Sequence, residues 1–353
     1  MHMKNVYMAQ MSLELPGSNY YYYPYSVGVV WAYATTQPGI VENYQLGGLY
    51  SVKEPIEQLV DRMVDPAVVG LSSYVWNVSY NQALAKAIKA RYPDCKMIIG
   101  GAETPNKSEN FFADKPYVDY LIHQEGEMSF TGLLQSFVGL KSDEDVPGIS
   151  INRNGKTLMT GPSQRIMDLS EVPSPYIMGL FDHLDEMYPG KIWNAVIETN
   201  RGCPFMCTFC DQGLDASKIT TFSSKRLMEE FWYVGEKMSK NKKGSQNAAI
   251  FDANWGIFEK DVELSEHILE VMNKYDWPKH IECLTPKKNR ENLLKINDKL
   301  KNRVQLQLSM QSMNLDTLSD IERKNWTAQE YLDFVAEIQK RGKAAFSEMI
   351  IPL

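Results

Sequence analysis

Residues 198–213 read ETNRGCPFMCTFCDQG, and their setting decides the architecture of the second half of the chain. The run just before them, residues 194–199 (NAVIET), has the length and apolar content of a buried strand. Three cysteines then follow at i, i+4 and i+7: Cys203, Cys207 and Cys210. A helix-forming stretch, 224–238, comes next. Strand, loop, helix is the opening unit of a parallel α/β structure, in which ligand-binding residues collect on the loops that leave the carboxyl ends of the strands.

The same alternation continues downstream. Strand-like runs at 248–252, 281–284, 304–309 and 344–351 are separated by helical stretches at 262–275, 290–300 and 328–341. Five strands and four helices in βα order predict a partial (β/α) barrel over 191–353. The sequence stops on the apolar run Met349 to Leu353, and a strand with an unpaired edge is an aggregation hazard. The expectation is a barrel truncated at its C-terminus, or one completed by a second chain.

Upstream, residues 1–140 alternate in the same way. Strands are expected at 4–13, 67–74, 96–101 and 118–123, and helices at 23–34, 55–63, 79–91 and 127–138. In the stretch 79–91, Leu84, Ala87 and Ile88 fall on one helical face. This pattern predicts an α/β fold with a doubly wound, Rossmann-like parallel sheet, its ligand crevice at the carboxyl ends of the strands. That rim carries Ser72 and Ser73, then Gly100 and Gly101, then Gln124, Glu125 and Gly126. Residues 141–190 are rich in Pro, Gly, Ser and Asp and read as an ordered linker, with a hairpin at 148–159 turning on Asn154-Gly155.

A chain of 353 residues is long enough for two domains of ordinary size. Its composition, 44% hydrophobic and 23% charged, is that of a globular protein and not of a disordered one. No apolar run approaches the roughly 20 residues of a helical membrane span. Residues 1–10 lack a basic-then-apolar signal pattern, so a cytoplasmic protein is expected. Residues 1–150 carry 10 basic and 16 acidic side chains, and residues 151–353 carry 27 and 28. Neither half has the basic excess of a non-specific nucleic-acid binder.

A cytosolic protein keeps its thiols reduced, so a tight trio of cysteines points to metal or redox chemistry before disulfides. Thiolates on one such loop can converge on an iron–sulfur cluster, and three ligands on a four-iron cube leave one iron open. The competing readings are a structural zinc site and unrelated buried cysteines. Zinc wants four N or S ligands, yet His183 lies 20 residues upstream of Cys203 and His267 far downstream. The CxxxCxxC pattern, with Phe209 just before its last cysteine, resembles the defining motif of the radical S-adenosylmethionine (SAM) enzymes. The resemblance implies a 4Fe–4S cluster on Cys203, Cys207 and Cys210, with SAM chelated to the fourth iron. One electron, from a donor of flavodoxin or ferredoxin type, would cleave SAM to methionine and a 5′-deoxyadenosyl radical. It implies further SAM contacts along the barrel. Asp252 and Asn254 stand where the family usually carries a Gly-Gly-Glu type motif, and they either accept from the SAM amino group or cap the next turn. Ser309 and Gln311 follow the fourth strand. Arg323 either pairs with the SAM carboxylate or is a solvated surface arginine. Lys287, after the third strand, has a weaker claim.

The first half resembles the domain that precedes the barrel in cobalamin-binding members of that family. The segments that carry the likeness are 23–33 (YPYSVGVVWAY), 70–77 (GLSSYVWN), 99–103 (IGGAE), 123–127 (HQEGE) and the linker phrase 172–176 (VPSPY). The resemblance implies cobalamin at the rim, with Ser72 and Ser73 donating to a corrin amide or the nucleotide tail. Gly100 and Gly101 would allow close backbone approach. The DxHxxG motif that supplies a lower axial histidine in many such domains is absent; the corresponding loop, 14–19, reads ELPGSN. Cobalamin would then lie without a histidine ligand, beneath an aromatic of 20–25 or Trp76, unless those aromatics are plain core or the pocket has lost its ligand. The implied function is cobalamin-dependent methyl transfer to an unactivated carbon of a small-molecule or peptide substrate. The alternatives are a radical SAM enzyme of other chemistry (rearrangement, cyclisation, sulfur insertion) and a non-catalytic corrinoid- or cluster-binding sensor.

Overall fold

The computed structural model describes residues 3–106, 108–210, 219–241, 244–286, 289–307, 309–343 and 347–350. The chain divides into two compact units, Met1–Met167 with Glu171–Trp193, and Asp168–Ser170 with Asn194–Leu353.

The first unit holds strands β1 (Lys4–Ala9), β2 (Tyr20–Tyr22), β3 (Tyr44–Tyr50), β4 (Pro66–Ser72), β5 (Lys96–Gly100), β6 (Tyr120–Ile122), β7 (Ile149–Arg153) and β8 (Lys156–Met159). Its helices are α1 (Tyr25–Thr35), α2 (Ile56–Asp61), α3 (Val78–Arg91), α4 (Phe111–Asp114), α5 (Glu127–Ser136) and α6 (Asp182–Met187). Seven strands form one sheet in the order β3-β1-β4-β5-β6-β7-β8. The first five run parallel and the last two are antiparallel. Parallel strands covered on both faces need near-continuous apolar runs, and β4 supplies one. Tyr7, Ala9, Val69, Leu71, Met97 and Ile99 point to one face, packed with Leu59 and Val60 of α2 and Leu84 and Ile88 of α3. On the other face Phe130 of α5 lies over Gly70, where a Cβ would come within 3.2 Å of its ring.

Two features of this sheet depart from the sequence pattern. Strand β3 was not expected: its YQLGGLY has two glycines and no clean alternation, and it gains its order from parallel pairing with β1. The hairpin at Asn154-Gly155, both at positive φ (56° and 83°), forms as the turn chemistry requires. Its strands do not float in a linker; they extend the sheet through β6.

The second unit holds β9 (Ile192–Ile197), β10 (Asn200–Arg201), β11 (Thr220–Thr221), β12 (Asn247–Ile250) and β13 (His280–Cys283). Its helices are α7 (Ser224–Lys240), α8 (Glu259–Tyr275), α9 (Arg290–Lys299), α10 (Leu315–Asp320) and α11 (Ala328–Lys340). Strands β9, β12 and β13 are parallel neighbours. Helix α7 starts where the Ser223 hydroxyl accepts from the Arg226 amide. It buries Leu227, Phe231, Val234 and Met238. Gly235 lets α8 come close, since a Cβ there would sit 2.6 Å from Val271 Cγ1.

The expected strand at 304–309 is reduced to isolated bridging, including a parallel bridge between Ile281 and Val304 held by Ile281 N–H to Arg303 O (2.8 Å) and Gln305 N–H to Ile281 O (2.9 Å). Val304 and Leu306 are buried as that strand requires, and bridge pairing occurs at Val304 and again at Gln307 rather than as a continuous strand among the described residues. Gln311 and Met349 form a further isolated bridge. Of the expected last strand, residues 347–350 form only that bridge, while 344–346 and 351, with Lys287, lie outside the described residues.

Candidate functional site

The cysteine loop leaves the carboxyl end of β9 and is tied down on both sides. Residues Asn200 and Arg201 pair antiparallel with Thr221 and Thr220. Arg201 is clamped by Glu198, which accepts its Nε at 3.0 and 3.1 Å. Gly202 adopts φ 93°, a left-handed conformation that favours glycine and turns the chain into Cys203. The Cys210 amide donates to Cys207 O, and the Thr208 amide to Ile321 O, both at 3.1 Å.

The strongest anchor comes from the exit of β12. Asp252 is 1% exposed. Its carboxylate accepts from the Thr199 amide (2.7 Å), the Asn200 amide (3.2 Å), Asn200 Nδ2 (2.7 Å) and the Thr199 hydroxyl. Burial pushes its pKa from the usual 3.8 up to about 7, against the pull of those donors. Two residues on, buried Asn254 donates through Nδ2 to Cys203 Sγ at 3.2 Å.

A second set of residues approaches from the segment after β13. Arg323 is 6% exposed. Its guanidinium donates to Ser309 O and, through Nε at 2.7 Å, to Asn325 Oδ1. It lies 5.9 Å from the centre of the Phe209 ring and hydrogen-bonds the Cys207 sulfur. Burial lowers the Arg323 pKa, and Cys207, Cys210 and Cys203 oppose that fall. Ser309 Oγ donates to Glu348 at 3.1 Å, while Gln311 stands at φ 60° with its buried Oε1 unpartnered among the described residues. The structure thus gathers Cys203, Cys207, Phe209, Cys210, Asn254, Ser309 and Arg323 around one loop, and turns Asp252 inward to hold it. The loop-holding roles of Thr199, Asn200 and Asn325 were not foreseen. For Asn200 no local signal exists, because its partner is 52 residues away.

None of the five cysteines is in a disulfide. Burial drives the Cys95 thiol up to about 12 and the Cys283 thiol higher still, which makes them inert core residues. Among the described residues, no group of three or more His, Cys, Asp and Glu side chains is gathered closely enough to hold a metal ion by itself. The donor chemistry at 203, 207 and 210 nevertheless fits cluster iron: three soft sulfurs on one loop, faced by an amide donor and a guanidinium.

In the first unit the three expected rim segments follow adjacent strands β4, β5 and β6, so they lie side by side. Ser73 N–H donates to Gly100 O at 2.7 Å, and Glu103 N–H to Ser73 O at 3.1 Å. Gly101, at φ 98°, packs so tightly that a Cβ would lie 2.5 Å from Ser73 O. Asn81 Nδ2 reaches Ser72 O (3.1 Å) and Ser73 Oγ (3.0 Å). Ser72 and Ser73 are consequently 9% and 2% exposed. Gln124 adopts φ 60°, Glu125 pairs with Arg165 at 2.6 Å, and Gly126 starts α5. Tyr74 and Trp76 stack at 4.6 Å on the same rim, with Trp76 38% exposed.

No family model matches the chain. It is 30% identical over 344 residues to the cobalamin-dependent radical SAM methyltransferase TokK of Streptomyces tokunonensis, covering 95% of this chain and 50% of that protein. It is 30% identical over 338 residues to the 2-(S-pantetheinyl)-carbapenam-3-carboxylate methyltransferase of Streptantibioticus cattleyicolor, covering 94% and 49%. The chain thus spans about half the length of the curated relatives it matches. Among solved structures it resembles the cobalamin-dependent radical SAM enzyme OxsB with aqua-cobalamin and SAM bound, with a TM-score of 0.76, 16% identity, and coverage of 99% of this chain and 49% of that one.

Proposed function

We propose that the chain is a cobalamin-dependent radical SAM enzyme and carries the cofactor-binding part of a methyltransferase, as its likeness to two such relatives supports. Cys203, Cys207 and Cys210 hold a 4Fe–4S cluster in the barrel domain, 191–353. Cobalamin would be held at the strand-end rim of the first unit, against the β4, β5 and β6 loops; residues 141–190, read from sequence as a linker, belong almost wholly to that unit. When bound, these groups and SAM supply one-electron cleavage of the sulfonium and methyl delivery to an unactivated carbon.

The chain's own residues bind and orient. Arg323, fixed by Asn325 and Ser309 beside the sulfurs, pairs with the carboxylate of SAM. Phe209 covers that guanidinium and helps exclude water. Gln311 offers a buried Oε1, unpartnered among the described residues, to a donor of the ligand. Asp252 holds the loop in place. The electron arrives from a flavodoxin- or ferredoxin-type protein. No helix among the described residues is long and apolar enough to cross a membrane, and we assign the protein to the cytoplasm.

The observation that carries this reading is the convergence of a buried guanidinium and an amide donor on a CxxxCxxC loop at the end of the first barrel strand. Anaerobic reconstitution is expected to give about four irons per chain. Dithionite is then expected to release 5′-deoxyadenosine from SAM, and corrinoid absorption to copurify or titrate in. A colourless protein with one zinc refutes the cluster, and a loaded cluster without corrinoid uptake refutes the cobalamin half.

A further inference from the structure

From sequence Asn254 either accepts from the SAM amino group or caps the next turn; in the structure its amide nitrogen donates to the cysteine loop. Nδ2 points at Cys203 Sγ from 3.2 Å. The backbone around it is pinned. Asp252 is bound to Thr199 and Asn200, the Trp255 amide donates to Leu284 O (3.0 Å), and the Gly256 amide donates to Asp261 (2.9 Å). Trp255 itself is fully buried, and Asn254 is 6% exposed. The amide is therefore held at the β12 exit, with Asp252 tied to the base of the cysteine loop and Trp255 and Gly256 tied to Leu284 and Asp261. The donor is buried while its acceptor Cys203 is partly exposed, so the bond lies at the edge of the covered region.

We infer that Asn254 is a positioning residue that tunes the cluster, donating N–H to the sulfur of Cys203. The inference rests on the proposed cluster assignment. A donor on a ligand sulfur offsets negative charge there. The one-electron reduced cluster carries one more negative charge than the oxidised one, so the bond strengthens on reduction and raises the potential. The electron comes from an external low-potential donor, dithionite or titanium(III) citrate in the assay.

The test is a redox titration of the reconstituted full chain without SAM, followed by electron paramagnetic resonance of the reduced cluster. Asn254→Leu keeps approximate shape and removes the donor. It is expected to load iron normally and to make the reduction equilibrium roughly tenfold less favourable, which is about 59 mV more negative for one electron. Asn254→Asp removes the donor and places a carboxylate against the sulfur, so a larger negative shift is expected. A role limited to accepting from the SAM amine predicts instead an unchanged potential with weakened SAM binding in Asn254→Leu, the variant that adds no charge. Unchanged potentials in both loaded variants overturn the inference. So does failure of both variants to load iron when the wild type loads, because that outcome marks a purely structural residue. If the wild type itself takes up no cluster, the proposed function fails first, and that result is distinct from either.

Discussion

The cysteine loop of the second unit and the strand-end rim of the first are built from different materials. The loop is held by ionisable groups: Asp252 on Thr199 and Asn200, Glu198 on Arg201, and Arg323 on Ser309 and Cys207. The β4–β5 side of the rim is held by neutral ones. Backbone bonds join Ser73 to Gly100 and Glu103, and the amides of Asn77 and Asn81 hold Ser72 from behind. A loop that places sulfurs for a charged cluster needs countercharge and dipoles already in position, because reorganising them costs free energy at each redox change. A rim for a large, mostly neutral ligand needs close backbone approach, which glycine and backbone pairing provide. The contrast predicts that disturbing the loop changes chemistry and pH response, while disturbing the rim changes stability and ligand uptake alone.

The largest expected effect breaks the loop at its most buried sulfur. Cys207→Ala should abolish iron retention and SAM cleavage. Removing one small side chain at 5% exposure costs about 1 kcal/mol, a fall of roughly 2–4 °C in Tm. Residual 5′-deoxyadenosine formation above the no-enzyme control would show that the sulfurs are not the cluster's ligands. Next, Gly101→Ala attacks the rim. The positive φ and the 2.5 Å approach to Ser73 O leave the methyl no place, so a loss of about 2–4 kcal/mol is expected. Corrinoid titration should weaken while iron content per folded chain stays constant. A parallel loss of iron would mean that the two regions are one cooperative structure.

The pH response separates the two regions more finely. Asp252 has its pKa raised from 3.8 to about 7 in the folded chain, so between those values the folded state holds a proton that the unfolded state has released. Stability from this group therefore falls as pH rises from about 4 through about 7 and is level above that. Asp252→Asn keeps the shape and removes the titration. It also turns an NH2 toward the Thr199 and Asn200 donors, at a cost of about 1–3 kcal/mol at pH 5. Urea midpoints at pH 5 and pH 8 should differ less in the variant than in the wild type. An equal difference in both would mean that the carboxylate is charged throughout that range.

These contrasts also mark where sequence reading stops. The cysteine spacing, the glycines after β5 and the Asn154-Gly155 turn are local signals, each with its own stereochemistry, and each lies where its pattern put it. Strand β3 carries almost no signal, because Tyr44–Tyr50 becomes a strand only by pairing with β1. Residues 304–309 have the opposite history: a convincing apolar alternation yields isolated bridges and no continuous strand among the described residues. Among site residues, Asp252 was visible as an acid at a strand end, yet its partners at Thr199 and Asn200 are set by the β9–β12 register. The same register aims Asn254 at sulfur. Residue types at strand ends were readable; the direction in which each side chain faces depends on strand pairing that no single segment encodes.

The smallest expected effect tests whether the rim is as neutral as it is drawn. Asn81 is fully buried, and its Nδ2 serves Ser72 O, Ser73 Oγ and, at 3.3 Å, Asn77 Oδ1. Its own Oδ1 has no partner among the described residues. Replacement by alanine removes useful donors and a costly acceptor together, so the two terms partly offset. A net loss of about 1 kcal/mol follows, below the usual cost of deleting a side chain with several hydrogen bonds. Neither group titrates, so the loss should be the same at pH 5 and pH 8, unlike that of Asp252→Asn. Urea denaturation at both pH values measures it. A loss that grows with pH would place a charged group on the β4–β5 side of the rim, beyond the Glu125–Arg165 pair on its β6 side, and the division between the two regions would fail at its weakest point.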